Sequence, residues 1–192
     1  MKHMSAEEYR RQQAGKLARV HGLRFEEQIE ASLRWYEDRG ILKATKTPEP
    51  MKPLGKPDSR GRFLACYVKA AQVDFSGTAV GGRSVRFEAK QTDTDRFDRK
   101  RLTDEQMDDL RGHEALGALC FVILCFSHGT GSVDTFYRVP WKNWDDMKAI
   151  YGRQYVTEKD VASFRIPAPA GIIKILHGIE PYGSILKEGR RT

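Results

Sequence analysis

The stretch QVDFSGTAVGGRSVRFEAKQ, residues 72–91, decides the fold. Gln72 to Phe75 reads as a short strand, GTAVGG as a turn, and SVRFEAKQ as a strand of strict period two. In that second strand Val85, Phe87 and Ala89 face one way, and Arg86, Glu88 and Lys90 the other. The glycine-rich turn folds it back beside Asp74, so two carboxylates and an ammonium group converge. Paired carboxylates are hard oxygen ligands suited to Mg²⁺, which keeps several waters and takes its remaining ligands from substrate phosphate. An adjacent lysine can orient, or help deprotonate, the water that attacks phosphorus. The same spacing also fits a surface ion pair between Glu88 and Lys90 with no part in chemistry.

Working outward from this pair, the upstream sequence turns helical. Phe25, Ile29, Leu33 and Tyr36 fall on one face of a helix that ends near Gly40 and packs on a sheet. Residues 5–20 carry only a weak apolar stripe and predict a loosely attached or frayed helix. Of the glutamates on the first helix, Glu26 lies closest to the packed face; it either reaches the sheet edge as a further cation ligand or stays solvated. Next come ILKATKT, a short β-branched strand, and FLACYVKA, which alternates as a strand does. The two enclose a projecting loop.

Downstream, TDTDRFDRK reads as a polar loop. Thr103-Asp-Glu-Gln106 is a capping box, with Leu102 and Met107 placed as a hydrophobic staple. The helix it opens ends near Gly117. Gln106 serves either as the capping side chain or as a contact to substrate. LCFVILCF is a continuous apolar strand buried on both faces, and DTFYRV is its hairpin partner. From Pro140 a helix runs to about Tyr151, with Trp141, Trp144, Met147 and Ile150 as its apolar side. IIKILHGI predicts an edge strand and KEGRRT a basic disordered tail. The element order implies an α/β domain with a mixed sheet.

Charge is concentrated in one place. The 192 residues carry a net charge of +7, yet residues 39–70 alone hold eight basic and two acidic side chains, interleaved with Pro and Gly. That stretch is either a solvated loop or an arm that binds phosphate; such a local bias favours the arm. Lys43, Lys46, Lys52, Lys56, Arg60, Arg62 and Lys69 are its candidate phosphate contacts, together with Gln106 as a candidate substrate contact.

Several classes are excluded. Hydrophobic residues make up 40% and charged residues 31%, the balance of a globular rather than a disordered chain. The longest apolar run, residues 115–126, falls short of the roughly 20 residues needed to cross a bilayer. The opening MKHMSAEEYRRQQ has no apolar segment of a secretory signal, so a cytoplasmic location is expected. Cys66, Cys120 and Cys125 lack zinc-type spacing and are expected as buried free thiols. The histidines show no ligand spacing, and Trp141 and Trp144, three apart, suit core packing better than base stacking.

An ordered series of motifs, GLRFEEQIEASLRWYEDRG with KTPEP, QVDFSG, VRFEAKQT, DEQMDDLRGHEALGALCFVILCF and YRVPWKNW, resembles the RecU-type Holliday junction resolvases of bacteria and their phages over roughly residues 20–180. These belong to the PD-(D/E)xK nuclease superfamily, whose shared core is an αβββαβ unit. The resemblance implies a restriction-endonuclease-like mixed sheet flanked by helices. It further implies Asp74 and Glu88 as Mg²⁺ ligands, with Mn²⁺ a plausible substitute, Lys90 as the catalytic lysine and Glu26 as the helix-borne acid. Glu105 and Gln106 would be the pair opening the second helix. Residues 50–67 would be the family's stalk, which enters the open centre of a four-way junction. Two positions depart from the family pattern: Val73 replaces the usual Thr before Asp74, and Glu105 stands where a His is common.

The expected organisation is an N-terminal extension at 1–20, one nuclease domain at 21–182 with its stalk, and a basic tail at 183–192. The expected activity is Mg²⁺-dependent paired nicking of four-way DNA junctions by a homodimer whose two-fold axis matches that of the substrate. Recognition by backbone and branch shape is expected, since no helix-turn-helix or zinc finger is present. Two alternatives are a nuclease of the same superfamily acting on other duplex or branched DNA, and a non-catalytic junction-binding protein. The second would have no need of Asp74, Glu88 and Lys90 together.

Overall fold

A computed structural model describes residues 6–48, 50–68, 72–129 and 132–182, with side chains from Gly22 onward. The expected tail at 183–192 and the candidate contact Lys69 lie outside the described residues.

Helix α1, Ala6–Glu37, is continuous, so the weakly striped N-terminal part forms one helix with the amphipathic part that follows. Phe25, Ile29, Leu33 and Tyr36 are buried, as their spacing predicts. Strand β1, Leu42–Lys46, comes next, then β2, Met51–Pro53, and β3, Ala65–Tyr67. Strands β4, Phe75–Ala79, and β5, Ser84–Thr92, hold the candidate site, followed by β6, Arg96–Asp98. Helix α2, Asp104–Ala115, leads into β7, Leu119–Phe126, and β8, Thr135–Pro140. Two short helices, α3 (Trp141–Asp145) and α4 (Met147–Tyr151), precede β9, Tyr155–Thr157, and β10, Arg165–Ile166.

The main sheet has six strands in the order β1-β4-β5-β7-β8-β10. Its one parallel pair is β5 with β7, joined through α2; every other neighbour is antiparallel. Elements α1, β1, β4, β5, α2 and β7 therefore give the αβββαβ order, a mixed sheet flanked by helices. One core lies between α1 and the sheet, where Phe75, Phe87 and Phe121 stack across three strands with centroids 4.9 and 5.0 Å apart. A second lies on the other face under α2 and α3, around Met107, Leu110, Trp141 and Trp144. Strand β7 feeds both, which is why its sequence is apolar without alternation.

Gly77 belongs to β4 rather than to the turn, and a Cβ there would lie 2.2 Å from the Lys43 carbonyl oxygen. Strand β4 starts at Phe75, later than the sequence pattern predicts. The reversal itself needs only residues 80–83, with Gly81 and Gly82 at φ of 86° and 80°.

Tertiary context overrides the sequence pattern in several further places. Among the described residues of FLACYVKA only Ala65–Tyr67 is strand, β3, which pairs with β2 in a separate hairpin. Phe63, Leu64, Tyr67 and Val68 are exposed, because a two-stranded ribbon with no second layer offers its alternating side chains no core. Cys66 sits there too, so of the three thiols only Cys120 and Cys125 are buried. Burial pushes the Cys120 thiol up to about 12 and raises that of Cys125 as well. The loop after β5 contains β6, paired with β9 and pinned by Phe97 buried edge-on against Phe126.

The helix predicted from Pro140 to Tyr151 breaks at Asp146 into α3 and α4. This break turns Ile150 outward while Trp141, Trp144 and Met147 stay buried.

IIKILHGI is no edge strand; β10 fills that place against β8. The apolar residues Ile173, Ile175 and Leu176 are buried, but their backbone N–H groups do not form a ladder. Ile173 N–H donates to Ser32 Oγ at 2.9 Å and Leu176 N–H to Tyr36 Oη at 3.0 Å. Arg138 meanwhile donates to the carbonyls of Ile175 and His177. Among the described residues, no helix is long and apolar enough to cross a membrane.

Candidate active site

The register of β4 and β5, Phe75 opposite Phe87, continues one step further to set Asp74 beside Glu88. Each acid is held by a backbone N–H from the other's strand segment. Asp74 N–H donates to Glu88 Oε2 at 3.0 Å, and Ala89 N–H donates to Asp74 Oδ2 at 3.1 Å. The Lys90 ammonium group donates to Glu88 Oε1, because residues two apart on a strand share a face. Gln106, brought over the sheet by the first turn of α2, donates through Nε2 to the same oxygen at 2.7 Å.

This is no surface ion pair. The Glu88 side chain is 0% exposed and that of Lys90 21%. Burial lifts the Glu88 carboxyl to about 7, and the Asp74 charge adds to the rise, against the lowering pull of the Lys90 ammonium. Gln106 is itself buried and engaged at both ends: its Oε1 accepts Thr103 N–H at 3.1 Å, while Thr103 Oγ1 accepts Gln106 N–H at 3.3 Å. The capping box is complete, and the same amide that closes it also orients Glu88.

Glu26 reaches the sheet edge and meets the Lys46 ammonium there. That hydrogen bond raises the Lys46 pKa, with smaller contributions from the charges of Asp74 and Glu30. Glu26 thus pairs with Lys46 and does not join the carboxylate pair. Of the basic stretch, Lys43 pairs with Glu37 at 2.7 Å and Arg62 with Asp58 at 2.9 Å. Lys52, Lys56 and Arg60 make no ion pair among the described residues. Asp58 Oδ1 accepts the N–H groups of Arg60 and Arg62, which holds its carboxyl below the usual range and shapes the tip of the arm. Thr47 N–H donates to the Asp74 carbonyl oxygen at 2.7 Å, a neighbour that no local sequence pattern reveals.

The donor set fits a hydrated divalent cation such as Mg²⁺ or Mn²⁺. Two hard carboxylates share one face, and Asp74 Oδ1 takes no hydrogen bond among the described residues. No group of three or more His, Cys, Asp and Glu converges there among the described residues, so waters and phosphate oxygens would fill the remaining positions.

An αβββαβ core with an aspartate immediately before its second strand and Glu-x-Lys on its third defines the PD-(D/E)xK nuclease class. Within it, this chain belongs to the RecU family: the family profile described as Recombination protein U matches residues 20–175. Holliday junction resolvase RecU of Geobacillus thermodenitrificans is 27% identical over 158 residues, spanning 78% of this chain and 76% of the relative. The protein of that name from Geobacillus kaustophilus is 27% identical over 185 residues, 89% and 90% of the two chains. Among solved structures, Archaeoglobus fulgidus Hjc, a Holliday junction resolvase, is similar over 74% of this chain and 93% of its own, with 14% identity and a TM-score of 0.43.

Proposed function

We propose that this chain is a divalent-cation-dependent endonuclease that resolves four-way DNA junctions by nicking opposed strands. The observation that carries this reading is the reciprocal clamp of Asp74 and Glu88 with Lys90 on the Glu88 carboxylate. Family membership and the names of the relatives supply the substrate.

Asp74 and Glu88 would hold the cation, with Mg²⁺ the expected ion and Mn²⁺ a substitute. When bound, the cation supplies positive charge for the phosphate and lowers the pKa of an attacking water. The chain's own groups do the rest. Gln106 and Asp74 N–H fix the rotamer of Glu88, so the carboxylate needs no reorganisation when substrate arrives. Lys90 places its ammonium at the carboxylate edge, where it orients the attacking water and offsets the charge that builds on the phosphate as the bond to the leaving sugar oxygen breaks.

The arm built from β2 and β3 supports branched DNA as the substrate. It projects Lys52, Lys56 and Arg60 together with the exposed apolar side chains of Met51, Leu54, Phe63, Leu64 and Tyr67. A four-way junction concentrates backbones from several arms around one opening, so such a projection gains more phosphate contacts there than along one duplex. Paired nicking calls for a two-fold homodimer, which supplies two sites with the symmetry of the junction.

The test is to incubate a synthetic four-way junction and its linear arms with the protein and Mg²⁺, then map nicks on all four strands. Symmetric nicks on opposed strands, with the linear arms uncut, are expected. Equal cutting of linear duplex would replace this reading with that of a general duplex nuclease.

A further inference from the structure

The register that pairs Asp74 with Glu88 also extends the other way. Lys46 lies opposite Phe75, and one step on, Thr47 N–H donates to the Asp74 carbonyl oxygen at 2.7 Å. Directly opposed residues of an antiparallel pair project from the same face. Thr47, Asp74 and Glu88 therefore form a row across three neighbouring strands, on the face that carries Lys90 and Gln106.

The Thr47 hydroxyl oxygen is buried and has no hydrogen-bond partner among the described residues. Hydroxyls shut away from water are almost always paired, because their desolvation otherwise goes uncompensated. Five buried side-chain atoms lack partners among the described residues, and three of them, Thr47 Oγ1, Arg86 Nε and Gln91 Oε1, belong to this strand end or to β5 itself. Of these, Thr47 Oγ1 is the one set directly beside the carboxylate pair by strand register. Pro48 follows Thr47 and confines it to extended backbone, which keeps its side chain on the same face.

We propose that Thr47 is a positioning residue of the cation site, its hydroxyl hydrogen-bonding a water of the hydrated divalent ion that Asp74 and Glu88 hold. This rests on the reading of those two acids as cation ligands. A hydroxyl suits the position because it can both donate to a carboxylate or phosphate oxygen and accept from a water. The chain carries an unpaired polar atom in the free protein so that a partner is ready when the hydrated ion enters. No hydrogen bond ties the hydroxyl to the fold among the described residues, and valine has nearly the same shape without it.

The test uses the full-length protein without DNA. Mg²⁺ and Mn²⁺ are titrated calorimetrically into the parent, Thr47→Val, Thr47→Ser and Asp74→Asn, and each protein is melted in EDTA. Thr47→Val is expected to bind cation about three- to tenfold more weakly, the value of one hydrogen bond. It should melt at or above the parent temperature, because an unpaired buried hydroxyl has been replaced by a methyl group. Thr47→Ser should restore affinity to within about twofold. Parental affinity in Thr47→Val beside abolished binding in Asp74→Asn overturns the role of Thr47 alone. Parental affinity in Asp74→Asn overturns the cation site on which it rests. A lowered melting temperature in Thr47→Val that serine does not rescue makes Thr47 a structural residue and also sinks the proposal.

Discussion

Gln106 donates its side-chain amide to Glu88 at 2.7 Å while its other end completes the cap of α2. One residue therefore starts a helix and orients the carboxylate of the candidate site. Replacing Gln106 by Ala and Thr103 by Ala separates the two duties. Both should lose about 1 kcal/mol of stability in urea unfolding, the usual value of a cap. Only Gln106→Ala also removes the donor to Glu88, and its cleavage rate is expected to fall by about tenfold, the value of one buried hydrogen bond to a charged group. Equal rates in the two variants would remove Gln106 from the chemistry.

Glu88→Ala, Lys90→Ala and Asp74→Asn should abolish cleavage of a four-way junction while leaving its binding within a few-fold, since phosphate contacts elsewhere supply most of the affinity. Gel-shift titration beside a cleavage time course reads both. Glu26→Gln should slow cleavage less, because Glu26 pairs with Lys46 rather than joining the carboxylate pair. Ca²⁺ in place of Mg²⁺ should support binding without turnover, as its looser coordination activates water less well.

The Glu88 carboxyl, lifted to about 7 by burial, makes the cation-free protein sensitive to pH. Between 4.5 and 7 the folded state holds a proton that the unfolded state has released, so stability falls as pH rises through this window and levels off above it. Melting in EDTA at about pH 5, 6, 7 and 8 should show that fall. Saturating Mg²⁺ favours the ionised carboxylate and should flatten it. A profile that rises with pH in EDTA would contradict the assignment.

Shortening residues 50–67 to a tight turn should leave the cation site intact, because Asp74, Glu88 and Lys90 are built on β4 and β5 rather than on the arm. Junction preference should drop, and the salt dependence of binding should become shallower by roughly 0.9 in log–log slope for each phosphate that the shortened arm no longer neutralises. Binding to junction and duplex at several salt concentrations measures this. An unchanged preference and slope would move recognition to the body of the enzyme.

Gly77→Ala should disrupt the β1–β4 pairing, since the added methyl group would fall 2.4 Å from the Ala44 Cα. Phe87→Ala, removing the middle ring of the stack, should cost about 3 to 5 kcal/mol. Thermal unfolding of each variant tests both.

Local patterns in the chain determined a good deal. Period-two alternation put Glu88 and Lys90 on one face, helical spacing chose the buried side of α1, and the capping box located the start of α2. These features are legible because they depend on neighbours within a few residues. Charge alone marked the arm, where residues 50–67 set four basic side chains against one acidic among prolines and glycines. Tertiary structure decided what depends on partners far along the chain. FLACYV alternates like a core strand but meets only β2, so its apolar residues stay exposed. IIKILHGI reads as a strand, yet Ser32 and Tyr36, some 140 residues away, take its N–H groups instead. The burial that raises Glu88, its contact with Gln106 and the row that brings Thr47 to Asp74 all arise from strand register and helix docking, for which the amino-acid order carries no local signal.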